Sequence, residues 1–173
     1  NMQSRMNLKI KFRESFRPFA PSVLAEKAKD YFDIDCESPY MLLTADVNKS
    51  HRVGGQICPP TRWDWFERLK QVRSDIPAVT HVDNSARLQT VSRDTPNKAY
   101  YDLINEFYRQ TGCPVVINTS FNVRGEPIVC LPEDAYRCFM ATDMDYLVMG
   151  SFVLDKELQP RQKIEAKQFF DLD

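Results

Sequence analysis

The chain has 173 residues, 43% of them hydrophobic and 27% charged, with a formal net charge of -1. That is the length and composition of one soluble globular domain with a real core, and the charge balance excludes a protein that as a whole binds polyanions. No apolar run reaches the length of a membrane span, and the polar, basic N-terminus has no signal-peptide pattern, so the expected location is the cytoplasm.

In chain order, "NLKIKFRESFRPFAPSVL" first alternates, with Leu8, Ile10 and Phe12 on one face and Lys9, Lys11 and Arg13 on the other. This predicts a half-buried strand with a basic outer face. Pro18 and Pro21 interrupt it, and Ser22 stands where it could cap a helix running to about Phe32. "SPYMLLTADV" reads as the next strand. Residues 48–76 read as an excursion between strands: "NKSHRVGGQICPPTRW" is loop-like, whereas "TRWDWFERLKQV" carries Trp65, Phe66, Leu69 and Val72 at helical spacing behind a Thr61 cap. It is expected to pack as a peripheral lobe. "PAVTHVD" and "ARLQTVS" read as short strands about an Asp-Asn-Ser turn. "NKAYYDLINEFYRQTG" is the clearest helix, with Tyr100, Leu103, Ile104, Phe107 and Tyr108 on one face and Gly112 as its stop.

"CPVVINTSFNVRGEPIV" opens as a buried strand and then turns polar at Asn118, Thr119, Ser120 and Asn122. Pro132 starts a further helix, with Glu133 and Asp134 in the turn where the helix dipole favours acids. "DYLVMGSFVLD" reads as a strand or strand pair, and the charged end as peripheral. Strands and helices interleave, which predicts an α/β or α+β fold with a mixed sheet, in one domain spanning 1–173. The five cysteines are odd in number and form no CxxC, so they read as small buried thiols in a reducing compartment; with His51 and His81 far apart, no metal site is expected.

Burying the polar row without partners would cost about 1–3 kcal/mol per group, so it faces either solvent or something polar. Lys11 and Arg13 are two residues apart, as are Ser120 and Asn122, and in an extended chain such pairs point the same way. One reading is a solvated basic edge beside an ordinary strand cap. The other is an anion site: a lysine point charge and an arginine fork for phosphate, with Ser and Asn giving directional bonds. Neither histidine has a base–nucleophile context, and no Walker loop occurs.

"NLKIKFRESFRPFAPSVL", "PAVTHVDNSARLQTVSRDT" and "GCPVVINTSFNVRGEPIVCLPEDAYRCFMATDMDYLVMG" resemble the C-terminal domain of nodulation-type O-carbamoyltransferases. That resemblance implies a YrdC-like twisted mixed sheet with flanking helices, whose hallmark Lys-x-Arg and Ser-x-Asn match Lys11-Phe12-Arg13 and Ser120-Phe121-Asn122. It implies that carbamoyl phosphate and ATP, carried with Mg2+, are converted to carbamoyl-adenylate for transfer to a hydroxyl acceptor. Lys11 and Arg13 would hold phosphates, and Ser120 and Asn122 the triphosphate and carbamate, with Asn118 and Thr119 beside them. Arg87 would neutralise charge developing at phosphorus, and Arg17 and Arg124 are further candidates. The resemblance also implies an upstream domain of the actin and sugar-kinase type, with an iron ion, that lies outside this chain and is its natural partner. The rival reading is an RNA- or nucleotide-binding module without catalysis. The near-neutral charge and the lack of aromatics interleaved with basic residues speak against nucleic acid.

Overall fold

The structure is a computed structural model of the chain and describes residues 2–54 and 69–160. Two compact units emerge, one from the N-terminal residues through Arg17 together with the chain from Ser120 onward, the other from Pro18–Thr119. The Thr61 cap, Trp65 and Phe66 of the excursion, Cys58 and the charged C-terminal end beyond Pro160 lie outside the described residues.

The Pro18–Thr119 unit is built on a mixed three-stranded sheet, as the interleaved pattern predicts. Its middle strand β1 (Ala20–Leu24) runs parallel to β4 (Gln89–Val91) and antiparallel to β5 (Val115–Asn118). A second ladder pairs β2 (Thr44–Asp46) with β3 (Ser85–Arg87). Ser22 is no helix cap: it sits buried in β1, and the helical turn that follows is only Ala25–Lys27 and α2 (Ala28–Tyr31). Pro21 belongs to the same strand. It faces Ile117 on β5, while pairing with β4 begins only at Ser22, so the missing N–H falls where the β4 ladder has not started. Being central, β1 is buried along its whole length.

Other expectations are corrected by burial. The strand in "SPYMLLTADV" contracts to β2, because Tyr40 and Leu42 stand out in solvent and Met41 takes a positive φ of 57°. "PAVTHVD" is a run of turns, not a strand, closed by Asn84 at φ 67° and by the Asp83 carboxylate accepting from the Ser85 N–H at 3.0 Å. The excursion is pinched at its neck by an antiparallel bridge between Arg52 and Ser74. The long helix, here α3 (Lys98–Thr111), begins at an Asn97 side-chain cap and ends at Gly112 with φ 74°. Its buried stripe is Tyr101 and Ile104, packed with Leu24 and Val91 and flanked by Tyr100 and Tyr108. Leu103 and Phe107, expected on that face, are 59% and 41% exposed.

The other unit opens with a larger correction. Met2–Lys9 form a helix, α1, where the alternation at Leu8 to Arg13 predicts a strand. Alternation stabilises a strand only when one face is covered, and Leu8 and Phe12 are 52% and 39% exposed. Met, Gln, Arg, Leu and Lys are good helix formers, and Lys9 suits the C-terminal turn. The chain then leaves the helix irregularly, with Phe12 at φ 49°. Helix α4 (Pro132–Ala141) starts at its proline as expected, with Asp134 Oδ2 accepting from the Leu131 N–H at 3.1 Å. Its Ala135 and Phe139 pack on Leu147 of the hairpin β6 (Tyr146–Met149) and β7 (Phe152–Asp155), with Phe121 and Val129 against them. At the far end of α4, Lys156 Nζ donates to the carbonyls of Phe139 and Thr142. Of the cysteines, only Cys138 among the described residues is buried; Cys36 and Cys130 are exposed and Cys113 half-buried. No described helix is long and apolar enough to cross a membrane.

Candidate functional site: a cationic cavity around Lys11 and the Ser-x-Asn turn

The site forms within the unit that holds both the N-terminal segment and the polar row. Phe121 is the hydrophobic peg of the row: it joins the Phe139 cluster, and its carbonyl accepts from the Val129 N–H at 3.0 Å. With Phe121 held, the side chains of Ser120 and Asn122, which flank it in sequence, meet each other and Lys11. The Arg124 N–H donates to the Lys11 carbonyl at 3.3 Å, fastening this loop to the N-terminal segment.

Lys11 is only 5% exposed, and its ammonium is spent on the loop. Nζ lies 2.8 Å from Ser120 O, 2.6 Å from Asn122 O, 2.7 Å from Asn122 Oδ1 and 3.3 Å from Ser120 Oγ. Ser120 Oγ in turn donates to Asn122 Oδ1 at 2.6 Å, and Asn122 Nδ2 donates to Glu126 O at 2.8 Å. The convergence of Lys11 on Ser120 and Asn122 therefore does not come from two extended strands. It comes from an irregular turn after α1 whose lysine reaches into the polar row.

Beside this clasp is a cavity of about 230 Å³ lined by Lys11, Arg13, Arg17, Ser120, Asn122 and Arg124, with Glu14 the one carboxylate among the described residues. Four cations against one anion leave it short of negative charge. The titration of its groups agrees. Burial holds the Lys11 ammonium below its usual range, and the neighbouring Arg13 adds to this. Burial likewise lowers Arg13, with Arg17 repelling it. The Glu14 carboxyl is held low, first by a hydrogen bond to its own backbone and then by Arg124, Arg17 and Arg13. An incoming anion would relieve the repulsion among the cations, and guanidinium groups suit the oxygens of phosphate. The volume is below the roughly 300–1,000 Å³ of a pocket for a whole drug-sized ligand, which matches a phosphate-bearing portion better than an entire nucleotide. Two larger cavities of the Pro18–Thr119 unit lack this character. One mixes Asp33, Asp46, Lys49 and Arg52; the other carries Glu26, Asp35 and Glu37 against Lys29.

The remaining expected site residues lie in the Pro18–Thr119 unit. Arg87 is exposed on β3 opposite Thr44. Asn118 ends β5, where its Nδ2 donates to Gln89 Oε1 at 2.7 Å, an oxygen that also accepts from Ser22 Oγ at 2.8 Å. Thr119 follows it, half-buried. Two residues of the cavity's surroundings escaped the sequence reading. Glu14 lines the cavity, and Asn7 of α1 accepts from Arg13 Nε at 2.6 Å. A lone Asn between Met6 and Leu8 carries no sequence signal of its own burial. Among the described residues no group of His, Cys, Asp and Glu could hold a metal ion.

Comparison with known proteins agrees with the motifs. An uncharacterized protein of Synechocystis, sll1178, is 58% identical over 99% of this chain, which spans 28% of that protein. Nodulation protein NolNO of Sinorhizobium fredii is 41% identical over 89% of the chain, which spans 20% of it. Nodulation protein U of Rhizobium tropici is 38% identical over 75% of the chain, here 18% of its length. The chain thus spans less than a third of each of these relatives. Residues 1–156 match the family described as carbamoyltransferase C-terminus, and the chain belongs to that family.

Proposed function

We propose that this domain binds ATP and carbamoyl phosphate and forms carbamoyl-adenylate for transfer to a hydroxyl acceptor in natural-product or nodulation-factor-type biosynthesis. The observation that carries the reading is the cavity with four cations and one carboxylate beside the Lys11–Ser120–Asn122 clasp. In the proposed sequence, water cleaves carbamoyl phosphate to carbamate and inorganic phosphate. A carbamate oxygen then attacks the α-phosphorus of ATP, the bond to the β-phosphate breaks, and pyrophosphate leaves. The acceptor hydroxyl finally attacks the carbamoyl carbon, gives up its proton, and AMP departs.

The roles follow from charge for the cavity's arginines and from the family resemblance for the neutral residues. Arg13, Arg17 and Arg124 hold phosphate oxygens and stabilise the departing pyrophosphate, with magnesium arriving on ATP as part of the substrate. Ser120 and Asn122, oriented by Lys11, meet the triphosphate and carbamate. Asn118, Thr119 and Arg87 belong to the reading through the family resemblance. The acceptor step falls to the upstream domain that the same resemblance implies. The nodulation relatives support a biosynthetic setting.

The test is carbamoyl-phosphate-dependent pyrophosphate release by the natural full-length protein. Arg13→Ala should cost about 2–4 kcal/mol of transition-state stabilisation, and Arg13→Lys should keep part of the rate, because an ammonium lacks the bidentate fork. Undiminished release in Arg13→Ala, or nucleotide binding with no release in the unaltered protein, would sink the proposal.

A further inference from the structure

Asn7 is a fully buried polar side chain and the one buried residue of its helix. Its bonding is divided between two tasks. Nδ2 donates to Arg17 O at 2.8 Å and to Ser15 O at 3.2 Å, while Oδ1 accepts from Arg13 Nε at 2.6 Å. The Asn7 carbonyl also accepts from the Arg13 N–H at 2.9 Å. One helical turn earlier, Gln3 Nε2 donates to Phe16 O at 3.0 Å and Arg17 O at 3.2 Å. Helix α1 thus fastens the irregular segment that supplies Arg13 and Arg17 to the cavity.

We infer that Asn7 is a positioning residue for the anion site, orienting the Arg13 guanidinium toward bound phosphate. This rests on the reading of the cavity as a polyphosphate site. The amide is suited to the task where a carboxylate is not. A neutral oxygen fixes the plane of the guanidinium through Nε without cancelling its charge, whereas an aspartate would pair with Arg13 and compete with the ligand. The amide nitrogen supplies the donors that hold the Ser15 and Arg17 carbonyls, which aspartate lacks. Asn is therefore the side chain that holds the loop and aims the arginine together.

The experiment is calorimetric titration of inorganic triphosphate into the natural full-length protein, for Asn7→Asp, Arg13→Ala and the double variant. Asn7→Asp should weaken binding at least about tenfold in the presence of Arg13, and the loss should be at least about threefold smaller in its absence, since coupled residues are non-additive. A purely structural role would weaken both backgrounds alike, and that result, or no loss at all, overturns the inference while leaving the site intact. If the unaltered protein binds no triphosphate, or Arg13→Ala binds as well as it does, the polyphosphate reading falls and takes the inference with it. Should Asn7→Asp fail to fold, Asn7→Ser removes the reach to Arg13 without adding charge and passes through the same cycle, with the same deciding results.

Discussion

Replacing Lys11 by Met keeps the apolar stem and removes the ammonium from its cage of oxygens. Three of the contacts, at 2.6, 2.7 and 2.8 Å, are short charge-assisted bonds. Bonds to charged groups contribute about 1.5–3 kcal/mol each, so their simple sum would be large. Two effects reduce it. Burial already penalises this ammonium, as its lowered pKa records, and that penalty vanishes with the charge. Ser120 is also exposed, so water can replace part of what its carbonyl loses. A net loss of about 2–4 kcal/mol remains, concentrated in the loop that Lys11 clasps. Amide hydrogen exchange reads this locally. The amides of Arg124 and Val129, which bond Lys11 O and Phe121 O, should lose protection by roughly 30- to 1,000-fold at 1.36 kcal/mol per tenfold. Amides in the middle of α3 should not change. A loss under about threefold at Arg124 and Val129, or an equal loss in α3, would refute the clasp.

Two further outcomes follow from burial and backbone geometry. Gly112→Ala should loosen the last turn of α3 by about 1–2 kcal/mol, because φ is 74° and an added Cβ meets nothing within 4 Å, so backbone strain is the whole effect; unchanged exchange at residue 112 would contradict this. Alkylation followed by peptide mass analysis should modify Cys36 and Cys130 first and Cys138 last, because burial, with Glu126 adding to it, pushes the Cys138 thiol up to about 11. The native protein keeps that proton above the unfolded value of 9.0, so this thiol makes stability fall as pH rises from 9 toward 11. Equal rates for Cys36 and Cys138 at pH 8 would contradict the burial.

What the sequence determined by itself was written in local signals. Gly112 ends α3 because only a residue free to take φ 74° continues the chain there. Pro132 opens α4, Asp83 and Asn84 close their turn, and the run from Val115 to Asn118 is a strand, each through chemistry contained in a few neighbouring residues. The pairing of Lys11 with Ser120 and Asn122 was legible as motif, and its geometry was not. Alternation from Leu8 to Arg13 is compatible with a strand until one asks what covers it, and that answer lies more than a hundred residues along the chain. The tertiary structure decided that α1 turns Asn7 inward, that Phe12 bends the chain, and that Lys11 reaches the polar row instead of lining a flat strand. It also put Pro21 and Ser22 inside a central strand and left Leu103 and Phe107 in solvent. Burial is a property of the surroundings, so a residue's inside or outside position follows from the partners that long-range packing supplies.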